Sequence, residues 1–371
     1  DHTTTGGLVG SVENGTIESK GKTTLFITSA SYDIFGGLIG EVTSESTNGV
    51  AVSNFHVKFE NDTFMANQFG GFVGVVNNAI SISQCTIEDQ SIVISFVNGD
   101  NRFFGLLAGK ITGSGKLNFN GKLELRSQLI VQATTAVQVN ETTQGFGSLV
   151  GNLSSTNKGG ITVEKEALTY FQPTLIVTGS SFNIGGLIGY YKGGTIGIPK
   201  PRNITLQGSY NVGGAIGFAD APIECTSIEG WSFMSGLGDG TGADKNSFAT
   251  IKSSTLVTSG GNWGGLIGKA SANCEINGFI NFNKITFDRG VYKDGSGLFK
   301  NIGGIVGYTD GRVVGAINKA DIIVQDLFDN EKDNNDNELT YNTFTSGKET
   351  EKEDMTISTK PINVGGIAGM S

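Results

Sequence analysis

The chain has few of the residues that most often carry chemistry or covalent cross-links. Its 371 residues include two His, three Cys and five Pro. Three cysteines are too few for the disulfide framework of a small secreted domain, and the low proline content excludes collagen and proline-rich linkers. With only two histidines, His2 and His56, and no Cys or Ser arrangement beside them, the sequence gives little basis for a nucleophile paired with a base. We therefore assign both of them structural roles, and we predict no catalytic residue and no enzymatic activity.

Basic charge and long apolar runs are scarce as well. The net charge is −9, with 26 Lys and Arg against 35 Asp and Glu, which argues against nucleic acid and anionic membrane surfaces as partners. No run of about 18 apolar residues occurs, so we predict no membrane insertion. The chain begins at Asp1 instead of Met, as expected for a segment from which any signal peptide has already been removed.

Glycine, in contrast, is abundant and organised. The chain contains 57 glycines, and about half of them belong to ten copies of a phrase related to GGxxG. The copies begin at Gly6, Phe35, Phe69, Phe104, Phe146, Ile184, Val212, Trp263, Ile302 and Val364. Measured between first glycines, the interval runs from 28 residues, between Gly185 and Gly213, to 62 residues, between Gly303 and Gly365. Self-similarity at such a period is typical of a solenoid, a propeller or an array.

The stretches between the copies have the pattern of strand, turn and strand. Turn signals such as Asn14-Gly15 precede β-branched residues, and alternating segments such as NFHVKF from Asn54 follow. No stretch shows helical periodicity, so we predict an all-β chain. A propeller blade needs regular spacing of about 40 to 50 residues, whereas a coil of a parallel β-helix tolerates a loop of any size at one corner.

We therefore favour a parallel β-helix, or β-solenoid, over the propeller. It is predicted to have about nine to ten coils with GGxxG corners. The chain is expected to form a single repeat domain over residues 1–371, because a solenoid grows along one axis without a single-core size limit. The longest intervals predict insertion loops at about 229–250 and 326–356.

The motif also predicts an internal column of side chains. If one copy lies at one corner of each coil, the residues that precede the first glycines stack about 4.8 Å apart. This predicted ladder consists of Phe35, Phe69, Phe104, Phe146, Ile184, Val212, Trp263, Ile302 and Val364. The adjacent aliphatics Leu38 and Ile39 would face opposite sides of a strand, so either a bulge turns one inward or one lies on an outer face as part of a docking stripe.

Three stretches carry a resemblance to a known family. The runs GGLVGSVENGTIES from Gly6, GGLIGYYKGGTIG from Gly185 and GGIVGYTDGRVVG from Gly303 resemble the GLUG repeat. This repeat occurs in large surface proteins and adhesins of bacteria and microbial eukaryotes. At the level of the glycine core, the resemblance covers nearly the whole chain. It implies a secreted or surface-anchored structural or adhesive role, and it implies no chemistry.

One acidic stretch has the composition of a cation site. Residues 329–338, DNEKDNNDNE, hold enough oxygen ligands for Ca²⁺. The stretch has Asn334 where an EF-hand loop requires its glycine, so we favour a solvated insertion loop and predict no metal and no cofactor. Pectate-lyase-like enzymes combine calcium with Arg or Lys on the flank of a β-helix, which makes polysaccharide binding or cleavage the alternative function. Arg289 and Arg312 are the nearest arginines in sequence.

Cysteines and glycosylation sequons give two further hypotheses. Cys225 and Cys274 follow the last motif glycine of consecutive copies at similar distances, which predicts a Cys225–Cys274 disulfide with Cys85 free; independent burial of each thiol is the alternative. The sequons lie at Asn14, Asn61, Asn140, Asn152 and Asn203. Their number is what chance gives in this composition, and Asn14 and Asn61 stand in turn-like polar contexts that favour glycosylation.

The sequence therefore favours a structural or adhesive protein of the extracellular space or cell surface. The chain opens shortly before its first motif and closes shortly after its last, without an evident polar cap at either end. We expect the coil around Gly6 to abut the coil around Gly365 of another copy, or further coils of the same polypeptide. The predicted partner is thus the protein itself, as a segment or subunit of a head-to-tail filament, with carbohydrate as a second candidate.

Overall fold

The structure is a computed structural model that describes most of the repeat cores. The described residues are 3–28, 31–43, 48–60, 64–88, 91–95, 101–120, 128–132, 141–156, 159–164, 174–178, 182–197, 204–208, 210–225, 248–253, 261–277, 280–281, 284–292, 299–318, 322–328, 342–345 and 363–370. Within these ranges the regular secondary structure consists of 40 β-strands. No helix in the described ranges is long and apolar enough to cross a membrane.

The described strands form three large sheets. The first sheet has 18 strands: β1 Thr4–Gly6, β4 Ser31–Gly36, β7 Phe64–Gly70, β11 Ser91–Ser95, β12 Arg102–Gly105, β15 Gln128–Gln132, β16 Gln144–Gly147, β19 Thr174–Thr178, β20 Phe182–Gly185, β23 Ile204–Gly208, β24 Tyr210–Gly213, β27 Phe248–Ser253, β28 Gly261–Gly264, β32 Lys284–Tyr292, β33 Phe299–Gly303, β37 Ile322–Phe328, β38 Asn342–Thr345 and β39 Asn363–Gly365.

The second sheet has 10 strands, each of which directly follows a motif corner: β2 Val9–Val12, β5 Ile39–Val42, β8 Val73–Val76, β13 Ala108–Gly113, β17 Val150–Ser155, β21 Ile188–Gly193, β25 Ile216–Ala219, β29 Ile267–Ala270, β34 Val306–Thr309 and β40 Ala368–Met370. The third sheet has eight strands: β3 Gly15–Ile27, β6 Val50–Phe59, β9 Ala79–Ser83, β10 Thr86–Ile87, β14 Lys116–Asn120, β18 Gly160–Val163, β22 Thr195–Gly197 and β26 Glu224–Cys225. Two further pairs join β30 Glu275–Asn277 with β35 Arg312–Val314 and β31 Ile280–Asn281 with β36 Ile317–Asn318.

Strands pair in parallel with their counterparts in neighbouring repeats. In the second sheet the order is β2, β5, β8, β13, β17, β21, β25, β29, β34 and β40, so each strand lies beside the strand that follows the next motif. One described pair, β37 with β38, is antiparallel. The prediction of an all-β chain with parallel strands is confirmed. Its physical basis is the alternating, β-branched pattern between glycine corners.

Both aliphatic residues of the motif face the core. In the second copy, β4 ends at Gly36, Leu38 lies in the two-residue bend, and β5 begins at Ile39. The side chains of Leu38 and Ile39 are both 0% exposed. The expectation that one of them lies on an outer face or needs a bulge is therefore wrong. The bend between two strands resets the in-and-out alternation that holds within a single strand.

The motif glycines are required because backbones approach each other closely at the corner. A Cβ atom on Gly36 would lie 1.8 Å from the carbonyl oxygen of Ile39 in the same motif. On Gly189, the last glycine of a later copy, a Cβ would lie 2.1 Å from the backbone nitrogen of Phe146, in the preceding motif. Neither glycine has positive φ. Steric exclusion of any side chain thus explains the first and last glycines of the motif, since backbone atoms cannot move aside as a flexible side chain can. The second position is less restricted, because two copies have Leu106 and Ser148 there.

The two predicted insertion loops lie mostly outside the described residues. Residues 226–247 account for most of the first loop, and β27 begins within its last residues, at Phe248. The second, 326–356, is not a plain loop, because its first residues belong to β37 and Asn342–Thr345 forms β38, which pairs antiparallel with β37.

We predict that Gly189→Ala lowers the free energy of unfolding by at least about 3 kcal/mol, because the new methyl group meets backbone atoms that cannot yield. The measurement is urea denaturation followed by circular dichroism. Gly21→Ala is the matched control, since a Cβ at Gly21 meets nothing within 4 Å; it should change stability by less than about 0.5 kcal/mol. Equal effects of the two substitutions would contradict the close-approach explanation.

Candidate functional site

The structure places the predicted ladder residues at successive register positions of the first sheet. The pairs run from Phe35 with Phe69 to Ile302 with Val364 without a break. Phe35 is 2% exposed, and the next seven ladder side chains, from Phe69 to Ile302, are 0% exposed. The side chain of Val364 lies outside the described set. At the other end Thr5 pairs with Phe35 and begins the column.

Neighbouring rings in the ladder stack. The ring centroids of Phe35 and Phe69 lie 5.7 Å apart at an interplanar angle of 19°, and those of Phe104 and Phe146 lie 5.3 Å apart at 11°. Offset aromatic pairs of this kind contribute about 0.5–1.5 kcal/mol beyond area burial. The ladder is therefore a structural feature that holds one repeat against the next.

A second column, of asparagines, lies on the opposite face of the same strands. Asn183, Asn211, Asn262 and Asn301 each directly precede a ladder residue. The Nδ2 atom of each of the last three donates a hydrogen bond to the Oδ1 atom of the asparagine before it, at 3.0, 2.9 and 2.8 Å. Asn183 in turn donates to the backbone carbonyls of Gln144, at 2.7 Å, and of Glu141. Asn183, Asn211 and Asn301 are buried and Asn262 is partly buried, so the amides satisfy one another, as buried polar groups must.

This asparagine column was not predicted from the sequence, although a recurring residue indicates it. The last five motif copies are all preceded by asparagine: Asn183, Asn211, Asn262, Asn301 and Asn363. Part of the reason for asparagine is conformational. Asn183 and Asn211 have φ of 61° and 48°, and asparagine tolerates this left-handed region better than other residues with a side chain.

An aromatic and cationic column in the second sheet lies beside the asparagines. Tyr190, Phe218, Lys269 and Tyr308 occupy successive register positions. The rings of Tyr190 and Phe218 stack with centroids 5.4 Å apart, and Lys269 Nζ lies 5.2 Å from the centroid of Phe218 and 5.9 Å from that of Tyr308. The cation therefore rests between two rings, an arrangement stabilised by the ring quadrupoles.

A glutamate that is distant in sequence joins the two columns. The Glu141 carboxylate lies within 2.8 Å of Lys269 Nζ through Oε1 and 2.9 Å through Oε2, and its Oε1 atom accepts a 2.7 Å hydrogen bond from Asn211 Nδ2. The side chains of Lys269 and Glu141 are 21% and 27% exposed. We call Glu141, Asn211, Asn262 and Lys269 the Asn–Lys–Glu cluster. It links one amine, one carboxylate and two amides through hydrogen bonds and an ion pair.

Tyr190 extends the polar edge of the aromatic column. Its hydroxyl donates a 3.0 Å hydrogen bond to Asp220 Oδ2. Burial, followed by the charge and hydrogen bond of Asp220, holds the pKa of Tyr190 well above its ordinary value. The phenol therefore stays protonated and acts as a donor at physiological pH.

The candidate histidine and metal residues do not assemble into a catalytic site in the described part of the chain. His56 Nδ1 lies 2.6 Å from Thr86 Oγ1, and burial, reinforced by the charge of Lys22, lowers the pKa of the imidazole. His2 and the acidic stretch 329–338 lie outside the described residues. Arg312 is exposed and lies 3.9 Å from Glu275, and the side chain of Arg289 is outside the described set. Among described residues no three His, Cys, Asp or Glu form a group that could hold a metal ion.

The predicted Cys225–Cys274 disulfide is not formed in this structure. Cys274 is a free, buried thiol, as is Cys85. Cys225 pairs in register with Ile196, so its backbone occupies an apolar position of the third sheet, and its side chain lies outside the described set. Cys274 precedes strand β30, in which Ile276 stands eight residues after the last motif glycine, as Cys225 does in its own repeat. Counting from the glycine therefore aligns Cys225 with Ile276, not with Cys274.

Two of the five sequons lie within the described residues, and one of them is exposed and the other buried. Asn14 is exposed in the turn between β2 and β3. Asn152 lies within β17 and is only 4% exposed, so in the folded chain its amide is not accessible for modification. The strand alternation turns Asn152 toward the second-sheet column that also holds Lys110 and Tyr190. Asn61, Asn140 and Asn203 lie outside the described residues.

Comparisons with protein-family models, with curated proteins and with solved structures find no match to this chain.

We predict that native Cys85 and Cys274 resist alkylation. Burial raises the pKa of both thiols, to about 12 for Cys274, where the negative charge of Asp220 adds to the effect. The reactive thiolate of Cys274 is therefore nearly absent even at mildly alkaline pH, and that of Cys85 is scarcer than in an exposed cysteine. Peptide mass spectrometry after iodoacetamide treatment should find both residues unlabelled in the native protein and labelled in urea. Equal labelling in both states, or a Cys225–Cys274 linked peptide, would contradict the buried free thiols.

We further predict that a glycosylating eukaryotic host modifies Asn14 but leaves Asn152 bare, because the acceptor amide must reach the transferase. Glycopeptide mass spectrometry of the secreted chain measures both sites in one sample. Asn14→Gln should remove the modification at that position, whereas a glycan on Asn152 would show that this strand is open during or after folding.

Proposed function

We propose that this chain is a parallel β-helix that serves as a structural or adhesive element outside the cell and extends head to tail. The β-helix is supported by the path of the chain. After each motif corner the chain passes from the first sheet into the second, and in most repeats then into the third or into one of the two further pairs, and it pairs in parallel with the neighbouring repeat. Such a path stacks one thin layer of core per repeat.

The assembly proposal is supported by apolar core residues that are only partly buried in the first repeat. Leu8 donates its backbone N–H to the carbonyl oxygen of Leu38 and holds the equivalent position in its motif, yet Leu8 is only partly buried while Leu38 is 0% exposed. Val12 and its register partner Val42 differ in the same way. A further coil would bury this apolar cross-section.

The opposite edge has the same character. Ile305 and Val306 are 0% exposed, whereas their counterparts one repeat later, Ile367 and Ala368, are only partly buried. Strands β1 and β40 have a described partner on one side each. No described strand pairs with their other edges, and an open edge of this kind favours addition of another strand.

The next coil would come from further coils of the same polypeptide or from a second copy of the chain. In either case the strand spacing of about 4.8 Å would continue across the junction. Contact between unlike ends is heterologous and does not close, so copies would propagate into a filament. The location at the cell surface, and the adhesive role, are supported by the resemblance of the repeat to GLUG proteins.

The alternative, a polysaccharide-binding or polysaccharide-cleaving surface, has less support. Sugar recognition by stacking needs rings that are open to the ligand, but Tyr190 and Phe218 are 3% and 5% exposed. The ring of Phe26 is 56% exposed, and it lies on the outer face of the edge strand β3 because it alternates with the buried Ile27. One open ring offers a sugar a single stacking contact. A structural protein without enzymatic activity remains our proposal.

Sedimentation velocity and negative-stain electron microscopy of the purified chain test the assembly. We expect particle length to grow with concentration, and Val12→Lys to suppress this growth because a charge would be buried at the junction. Ser114→Lys is the matched control, since Ser114 is exposed in a turn in the middle of the stack, and it should leave assembly unchanged. A chain that stays monomeric at high concentration would overturn the head-to-tail proposal.

A further inference from the structure

We propose that Lys269 and Asn211 become joined by a side-chain amide bond, which forms within the folded chain and releases ammonia, with Glu141 as the group that relays the protons. This proposal concerns the interior of one chain and does not depend on head-to-tail assembly. It assigns a modification site to the Asn–Lys–Glu cluster.

The three reacting groups meet at one carboxylate. Glu141 Oε1 lies 2.8 Å from Lys269 Nζ and 2.7 Å from Asn211 Nδ2, and Oε2 lies 2.9 Å from Nζ. The carboxylate therefore touches both the amine that would attack and the nitrogen that would leave. Because the folded chain already holds the reactants side by side, the reaction does not have to meet the entropic cost of a bimolecular encounter.

The side-chain carbonyl of Asn211 is also polarised by a hydrogen-bond donor. Its Oδ1 atom accepts a 2.9 Å hydrogen bond from Asn262 Nδ2. This donor would stabilise the negative charge that develops on Oδ1 when an amine adds to Cγ. Asn262 is itself held by Asn301, whose Nδ2 donates to Asn262 Oδ1 at 2.8 Å, so the asparagine column orients the donor.

The aromatic column positions the amine, which stays partly open to solvent: the side chain of Lys269 is 21% exposed and that of Glu141 is 27% exposed. Lys269 Nζ lies between the rings of Phe218 and Tyr308, at 5.2 and 5.9 Å from their centroids, and Phe218 is 5% exposed. The amide under attack is itself buried, since Asn211 is 2% exposed. This burial limits the access of water to the reacting carbonyl and so disfavours hydrolysis.

The step balances without any further reactant. Glu141 accepts a proton from the Lys269 ammonium, and the Nζ lone pair forms a bond to Asn211 Cγ. The Cγ–Nδ2 bond then breaks as Glu141 returns the proton to Nδ2. Nζ loses its second proton to the departing ammonia, so one ammonium group and one carboxamide become one amide and one ammonium ion.

The bond would tie the first sheet to the second. Asn211 lies in β24 of the first sheet, and Lys269 lies in β29, which follows the next motif. The link would close the corner between neighbouring repeats covalently. In a chain with three cysteines and no described disulfide, an amide offers a cross-link that reduction does not break.

Peptide mass spectrometry of the purified full chain tests the proposal. We expect the peptides that contain Lys269 and Asn211 to be recovered as one branched peptide, lighter than their sum by one ammonia molecule. Lys269→Arg keeps the cation beside Glu141 but supplies no comparable nucleophile, and Glu141→Gln keeps the side-chain shape without the carboxylate. Both variants should yield the two peptides separately, with circular dichroism showing that each has folded.

A matched lysine serves as the control. Lys110 occupies the same column of the second sheet, with Nζ 5.7 Å from the centroid of Phe103, and Lys110→Arg should retain the branched peptide. Recovery of unmodified Lys269 and Asn211 peptides from the folded wild-type chain would overturn the proposal. So would a Lys269–Glu141 link that has lost water, or a branched peptide that persists in Glu141→Gln.

Discussion

The backbones of the first and second sheets approach so closely at each motif corner that not even a methyl group has room between them. A Cβ on the first glycine of the second copy, Gly36, would meet a carbonyl oxygen of its own motif, and a Cβ on Gly189 would meet the backbone of the preceding repeat. The rest of the fold depends on this approach, because it turns the chain from the first sheet into the second. Its repetition keeps every strand beside its counterpart in the next repeat.

The strands that lead into the corners carry two columns of side chains, an apolar one on the core face and a polar one on the opposite face. Ladder residues such as Phe104 and Phe146 face the core and stack, while the residues just before the later ladder positions face the second sheet. At those positions an apolar side chain would leave neighbouring amides without partners. Asparagine satisfies them by bonding from one repeat to the next, as Asn211 and Asn262 do, and it also accepts the left-handed backbone found at Asn183 and Asn211.

The Asn–Lys–Glu cluster illustrates how a repeat acquires an individual feature. Its lysine and asparagines stand at ordinary motif positions, but Glu141 comes from the segment between β15 and β16, far from both in sequence. The repeated strands place side chains in columns, whereas the carboxylate of Glu141 comes from a residue outside the strands.

The sequence by itself determined the all-β class, the parallel repeat and the ladder register, since the spacing of GGxxG and the alternation between copies are local properties. The asparagine column was also present in the sequence, as the residue before each of the last five ladder positions. Only the tertiary structure decided that Leu38 and Ile39 both face inward, because the bend breaks the alternation. Only it placed Glu141 beside Lys269, 128 residues apart: long-range contacts depend on where an irregular segment folds back, and no local pattern encodes that position.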